Sequence, residues 1–227
     1  MSADVTHLDE LDRIPVGEDG LVWRPVRRKL GIESLGVNAW TAEEPGQEVV
    51  EHHDETGSGA GKHEELYIVI RGRARFQLDD EEFDAPVGTC VFVRDRTVRR
   101  GAFAEEPGTT VLAMGGKPGE AFEVSPWESY FAAIPLSAAG NHEGAAALIR
   151  EALERSPDNP SVLYNLACAE CLAGDTEAAL EHLTRAVELN PKCADWARED
   201  ADFDAIRTDP RFASALARKA NAAGESA

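Results

Sequence analysis

The second half of the chain repeats on a 34-residue period, and no other feature narrows the available folds as much. Ala133 returns as Ala167, Gly140 as Gly174, Glu143 as Glu177, Ala145 as Ala179, Ile149 as Leu183, Ala152 as Ala186 and Pro157 as Pro191. A unit of this length cannot bury its apolar face alone and must stack on a copy of itself. Alanine at the paired positions lets two helices approach closely. Asn159-Pro160 supplies an N-cap followed by a first-turn proline, and Gly174-Asp175 supplies a turn between helices.

The second copy reads Leu163-x2-Leu166-Ala167, then Ala179-x3-Leu183, Ala186 and Pro191, and it resembles the tetratricopeptide repeat. It matches at the alanines and the proline. It departs where the family places aromatics, with Leu163 in place of tryptophan and Glu170 in place of tyrosine. In the first copy, Pro135 falls inside the expected leading helix. A partial third copy spans Ala194–Arg207, and Asp209-Pro210 opens a last helix running to about Ala220. The resemblance implies an all-α repeat domain over residues 127–222 with a protein partner on its concave surface.

The first half has a different pattern. Residues 1–20 read as a poorly ordered acidic arm. Short β-type runs then follow with turn signals between them: Leu21–Val26, Ser34–Thr41, Glu48–His52, Glu64–Arg71, Arg73–Leu78, Cys90–Val93 and Thr109–Met114. Such spacing predicts an all-β sandwich or barrel, so the chain is expected to be an α+β multidomain protein with an N-terminal β-barrel at 21–115. A glycine-rich linker at 116–126 joins it to the helices. The run Leu66-Tyr67-Ile68-Val69-Ile70 is apolar on both faces, as in a strand covered on both sides.

The segment Gly46 to Gly72 resembles the first cupin motif, G-x5-H-x-H-x3–4-E-x6-G. Gly46 and His52 fit its start, and Glu65 and Gly72 fit its end. The resemblance implies a jelly-roll barrel (a double-stranded β-helix) whose histidines and glutamate point inward and bind a divalent metal. Three departures stand out. Asp54 takes the place of the second histidine. Ten residues, including Gly57-Ser58-Gly59-Ala60-Gly61, separate Asp54 from Glu65. In the second motif, counted from Gly88, Arg99 stands where the last histidine ligand belongs. A guanidinium has no free lone pair for a metal.

Three readings of the barrel follow. In one, Arg99 points inward and pairs with Glu65 or with a small anionic ligand, which His63 and Tyr67 help to line. In another, His52 or His53, with His63 and Glu65, forms a rearranged site for Zn, Fe, Mn or Ni, and the protein is a metal-dependent oxygenase or isomerase. In the third, the histidines cap an exposed loop and the arginines pair with surface acids. The preferred expectation is a small-molecule binding module coupled to a protein-interaction domain, regulatory or adaptor in role; whether it is an enzyme stays open. A further alternative makes the repeats a scaffold and the barrel the base of a homodimer.

Composition excludes some partners. Forty-two acidic against 23 basic residues leave a formal charge of −19, and both halves are acidic. Such a chain repels nucleic-acid backbones and anionic lipid. No apolar run reaches the roughly 20 residues of a membrane helix, and Met1–Glu10 has no apolar core of a signal peptide. The expected location is the cytoplasm, with Cys90, Cys168, Cys171 and Cys193 reduced. Cys168-x2-Cys171 lies in an alanine-rich helical stretch, where small buried residues are expected rather than redox or zinc chemistry.

Overall fold

Alternation of apolar and polar residues gives each strand of the first half one face to bury, and two sheets meet that need by packing face to face. The computed structural model describes residues 4–57 and 62–217, and the chain divides into two units, Met1–Ser125 and Pro126–Ala227. The first unit has ten strands: β1 Ile14–Val16, β2 Leu21–Arg24, β3 Gly36–Ala42, β4 Glu48–His53, β5 Glu64–Arg71, β6 Arg73–Leu78, β7 Glu81–Pro86, β8 Cys90–Val93, β9 Arg100–Ala104 and β10 Thr109–Gly116. They form a six-stranded sheet ordered β1-β2-β3-β10-β5-β8 and a four-stranded sheet ordered β4-β9-β6-β7. All the pairings are antiparallel.

The sheets do not close on each other, so the expected barrel is a cupin-like sandwich with free edges. Edge strand β7 carries Glu81, Glu82 and Asp84 and ends at Pro86. Charge and proline on an edge discourage pairing with another chain, and the same residues hide the strand from a hydrophobic-pattern reading. Between the sheets lie Val49, Tyr67, Val69, Phe76, Val91, Val93, Ala102 and Val111. The reversal from β5 to β6 depends on Gly72, which has φ +68 and on which a Cβ would sit 2.9 Å from Thr109 Cα.

The expected acidic arm is partly built into the fold. β1 pairs with β2, and Leu11, Ile14 and Val16 are buried. Buried Arg24 donates from Nε to Thr41 Oγ1 at 3.0 Å and from Nη1 to the Leu8 carbonyl at 3.2 Å. Acidic side chains thus mask an apolar set that the sheet uses.

The second unit contains α2 Pro126–Ala138, α3 His142–Arg155, α4 Pro160–Ala173, α5 Thr176–Leu189, α6 Lys192–Glu199 and α7 Pro210–Leu216; α1, Val26–Leu30, belongs to the first unit. Asn159 caps α4, accepting from the Ser161 and Val162 amides, and Gly174 ends that helix in the left-handed conformation at φ +86. Asp175 caps α5. The repeated alanines 133, 145, 152, 167, 179 and 186 are all buried. Pro135 does not break its helix: α2 runs through it and ends one turn later, where few backbone bonds remain to be lost. The last helix is described only to Leu216, and residues 218–220 of the expected helix lie outside the described residues. No helix among the described residues is long and apolar enough to cross a membrane.

Candidate functional site

A β-bulge decides which histidine faces the interior. In the pairing of β4 with β9, Val50 opposes Ala102 and His53 opposes Arg100. Three residues on β4 therefore span two on β9, and the extra residue reverses the alternation beyond it. His53 is carried to the inner side with Arg100. His52 is carried to the outer side, where its Nε2 lies 2.6 Å from Gln77 Oε1 and its Nδ1 contacts Glu48. Its ring lies over Gly101, where an added Cβ would come within 2.5 Å of it.

On β5, Glu65, Tyr67 and Val69 alternate inward. Tyr67 donates its hydroxyl to Glu65 Oε2 at 2.6 Å. The same oxygen lies 3.3 Å from His53 Nε2 and 3.2 Å from Arg100 Nε. Glu55, buried, brings its Oε1 to 3.6 Å from His53 Nε2. Its backbone N–H donates to the Arg96 carbonyl at 2.9 Å, and its Oε2 accepts the His63 N–H at 3.1 Å. His53 Nδ1 is 2.7 Å from the Glu51 carbonyl. That contact fixes the proton on Nδ1 and turns Nε2 toward the two carboxylates.

The electrostatics follow from this geometry. Burial works against a charge on His53, but Glu65 and the Glu51 carbonyl outweigh it and raise its pKa. Burial would likewise raise Glu65; hydrogen bonds from His53 and Tyr67, with the charges of His53 and Arg100, outweigh it and lower its pKa. Tyr67 is pushed far up by burial and by the Glu65 carboxylate, so its hydroxyl stays a donor. Arg100 is fully enclosed, and none of its three guanidinium nitrogens has a hydrogen-bond partner. Its approach to Glu65 is an ion pair without hydrogen-bond alignment.

The expected site residues are thus partly redistributed. Glu65, Tyr67 and His53 meet in the interior. Arg99 does not: it is exposed, with its backbone N–H on Asp79 Oδ1 at 2.9 Å, and Arg100 takes the inward position because strand alternation separates neighbours. His63 precedes β5 and its ring faces Phe122, with centroids 6.2 Å apart, and it does not join the group formed by His53, Glu55 and Glu65. Asp54 is exposed and caps Thr56. Residues 58–61 of the glycine-rich stretch lie outside the described residues. Two residues were missed, Glu55 and Arg100. The available signal was His53-x-Glu55, a two-residue spacing that shares one face of an extended segment.

The metal implied by the cupin resemblance can be tested on these donors. One atom each from His53, Glu55 and Glu65 lie within 4.8 Å of one another. Ligands about 2.0–2.2 Å from a tetrahedral zinc sit roughly 3.3–3.6 Å apart, which the His53 separations of 3.3 and 3.6 Å match. The Glu51 carbonyl on Nδ1 is the kind of outer partner that orients a ligating histidine. These three residues fit a divalent ion. The expected set of His52, His53, His63 and Glu65 does not come together.

In the helical unit the buried carboxylate of Glu170 receives Arg150 Nη2 at 2.8 Å and His182 Nδ1 at 2.6 Å. Residues 136–198 match the tetratricopeptide repeat family model. This segment is similar to the tetratricopeptide repeat. The match covers α3, α4 and α5 in full, and Glu170 takes the place of the repeat's usual tyrosine with an ion cluster across three helices.

A comparison with curated proteins finds no match. Among solved structures, similar chains include a sugar phosphate isomerase of the cupin superfamily from Silicibacter pomeroyi. It is 19% identical over 50% of this chain and 76% of its own, with a TM-score of 0.42. KdgF from Halomonas sp. is 19% identical over 47% of this chain and 88% of its own, with a TM-score of 0.39. An RmlC-like cupin protein from Desulfovibrio desulfuricans is 21% identical over 51% and 97%, with a TM-score of 0.40.

The cysteines of the repeat are free, and Cys168 and Cys171 are buried. Cys168 Sγ lies 3.7 Å from Asp200 Oδ2, which also accepts the Tyr164 hydroxyl at 2.8 Å. Burial, then the charges of Asp200 and Asp202, push the Cys168 thiol far up, so it stays protonated. Cys168 and Cys171 pack in the apolar core of the helices.

Proposed function

We propose that the cupin-like interior binds a small anionic molecule at Arg100 and that the tetratricopeptide repeat grips a protein partner, making the chain a ligand-responsive adaptor. The supporting observation is the enclosed Arg100 guanidinium, which lies 3.2 Å from Glu65 Oε2 but makes no hydrogen bond from any of its three nitrogens among the described residues. A buried charge without hydrogen bonds is costly, by several kcal/mol in order of magnitude, and an unsatisfied buried group calls for a missing partner. The planar fork suits a carboxylate or phosphate. His53, a third of whose side chain is exposed, is the member of the cluster most open to solvent. The repeat offers exposed Tyr130 and Trp196 as aromatic anchors for a partner, and the free thiols suit a reducing cytoplasm. A thermal-shift panel of small carboxylates and phosphates tests the reading. Stabilisation is expected in the natural chain and reduced in Arg100→Met; an identical response in both removes Arg100 from the site.

One observation favours a second reading. The His53 Nδ1 contact with Glu51 leaves Nε2 aimed at Glu55 and Glu65, so these three residues would hold Zn, Fe, Mn or Ni. Such an ion would supply Lewis-acid activation of a bound oxygen. In that case Tyr67 and Arg100 would orient Glu65 and offset its charge. Elemental analysis of the purified chain separates the readings: stoichiometric metal lost in Glu55→Ala promotes the second, and none in either chain leaves the first.

A further inference from the structure

A second basic feature lies apart from the interior cluster. A groove of about 380 Å³ is lined by Lys62, Arg94, Arg96 and Lys117, with Glu64 and Glu120 as its acids. It sits where β5 begins, β8 ends and the chain leaves β10. Glu65 and Val93 are paired and face inward, so their neighbours Glu64 and Arg94 face outward and the groove opens on the outer side of the six-stranded sheet.

This groove is unusual for so acidic a chain. Several arginines elsewhere are matched at short range, Arg71 to Asp9 at 2.6 and 2.8 Å, Arg185 to Asp158 at 2.7 Å, and Arg211 to Glu177 at 2.6 Å and Asp209 at 2.8 Å, whereas exposed Arg155 reaches only the Ser129 hydroxyl, at 3.3 Å. In the groove, Arg94 comes no nearer than 3.7 Å to Glu64, and Lys117 lies 3.8 Å from both Glu120 and Glu123. None of these contacts is a hydrogen bond. The side chains of Lys62 and Arg96 form no ion pair or hydrogen bond among the described residues. The Arg94 guanidinium is steadied over the Phe92 ring, 5.3 Å from its centroid. Four cations against three carboxylates, Glu64, Glu120 and Glu123, in a cavity of small-molecule size, leave a surplus of positive charge whose donors make no hydrogen bond to those acids.

We propose that this groove is a docking site for a small polyanion, a molecule carrying two or more phosphate or carboxylate groups, independent of the interior site. Arg94 and Arg96 supply the forked donors, and Lys62 and Lys117 act as point charges on either side. Because the groove is open, its affinity falls as salt rises.

Calorimetric titration of the full chain at low ionic strength, with pyrophosphate and with citrate, tests this. One or both probes bind the natural chain. Binding weakens at least about tenfold, the worth of one charge-assisted hydrogen bond, in Arg94→Ser/Arg96→Ser and in Lys62→Ala/Lys117→Ala. Stronger binding by pyrophosphate marks a phosphate ligand, and stronger binding by citrate a carboxylate. No binding of either probe overturns the proposal, as does equal binding by both double variants when their melting curves match the natural chain. Loss of binding in Arg100→Met alone assigns the anion to the interior instead.

Discussion

Arg100 Nε lies 3.2 Å from Glu65 Oε2 with the arginine side chain fully enclosed between the sheets. The pair is asymmetric. Glu65 also has Tyr67 and His53, whereas Arg100 has no hydrogen-bond partner. Removing either member therefore has unequal consequences.

Glu65→Leu strands a buried guanidinium and should destabilise the chain by about 3–5 kcal/mol, the cost of breaking one side of a buried pair. Arg100→Met replaces an unsatisfied charge by an apolar chain of similar length. Because Glu65 keeps Tyr67 and His53 in that variant, it should cost less than Glu65→Leu, by at least about 1 kcal/mol. Urea denaturation of both variants reads the difference; an Arg100→Met loss as large as that of Glu65→Leu contradicts the asymmetry.

The packing of His52 on Gly101 predicts a coupled pair. Gly101→Ala places a methyl 2.5 Å from the His52 ring and must displace it from Glu48 and Gln77, at a cost of about 1–3 kcal/mol. In a His52→Ala background the same change should cost much less. A double-mutant cycle from denaturation midpoints measures the coupling, and additive costs would show that the ring and the glycine act separately.

Sequence and structure differ by one residue at both of the site's misread positions. The cupin template counted from Gly46 lands on His52, and the bulge in β4 moves the inward histidine to His53 and the next inward donor to Glu55. Counted from Gly88 it lands on Arg99, while Arg100 occupies the interior. Strand period makes a one-residue error a change of face, and no residue type in Glu48–His53 announces a bulge. The helical repeat was far more legible. Its alanines, caps and turn glycine are local signals, each fulfilled where it is written. Strands β1 and β7 were missed because Pro15 and the acids of β7 read as loop chemistry.

The Glu170 cluster predicts a pH dependence. Glu170 raises the His182 pKa chiefly by its hydrogen bond, against a smaller opposing effect of burial. The unfolded histidine titrates near pH 6.5, so the folded state binds the proton more tightly. The stabilisation is full below about pH 6.5 and is lost as pH rises through the higher folded value. Melting of the full chain and of His182→Gln should therefore differ more at about pH 5.5 than at about pH 8.5. A constant difference would place the histidine outside the ion cluster.

If the interior holds a metal, its ligands are specific. Metal content should fall in His53→Ala and Glu55→Ala and persist in His52→Ala and His63→Ala, since among the described residues His53 and Glu55 group with Glu65, with one donor atom each within 4.8 Å of the others. Elemental analysis of the four variants after equal metal loading checks this, and loss in His63→Ala would contradict the ligand set.

The central claim is that Arg100 is the anion receptor of the interior. Its most direct test is calorimetric titration of the natural chain and Arg100→Met with the small carboxylate or phosphate that stabilises the chain most. Saturable one-to-one binding in the natural chain, weakened at least about a hundredfold in the variant, is predicted, as expected when a desolvated bidentate ion pair worth about 3 kcal/mol is lost. Equal affinity in the two chains, or no binding by any anion of the panel, would contradict it.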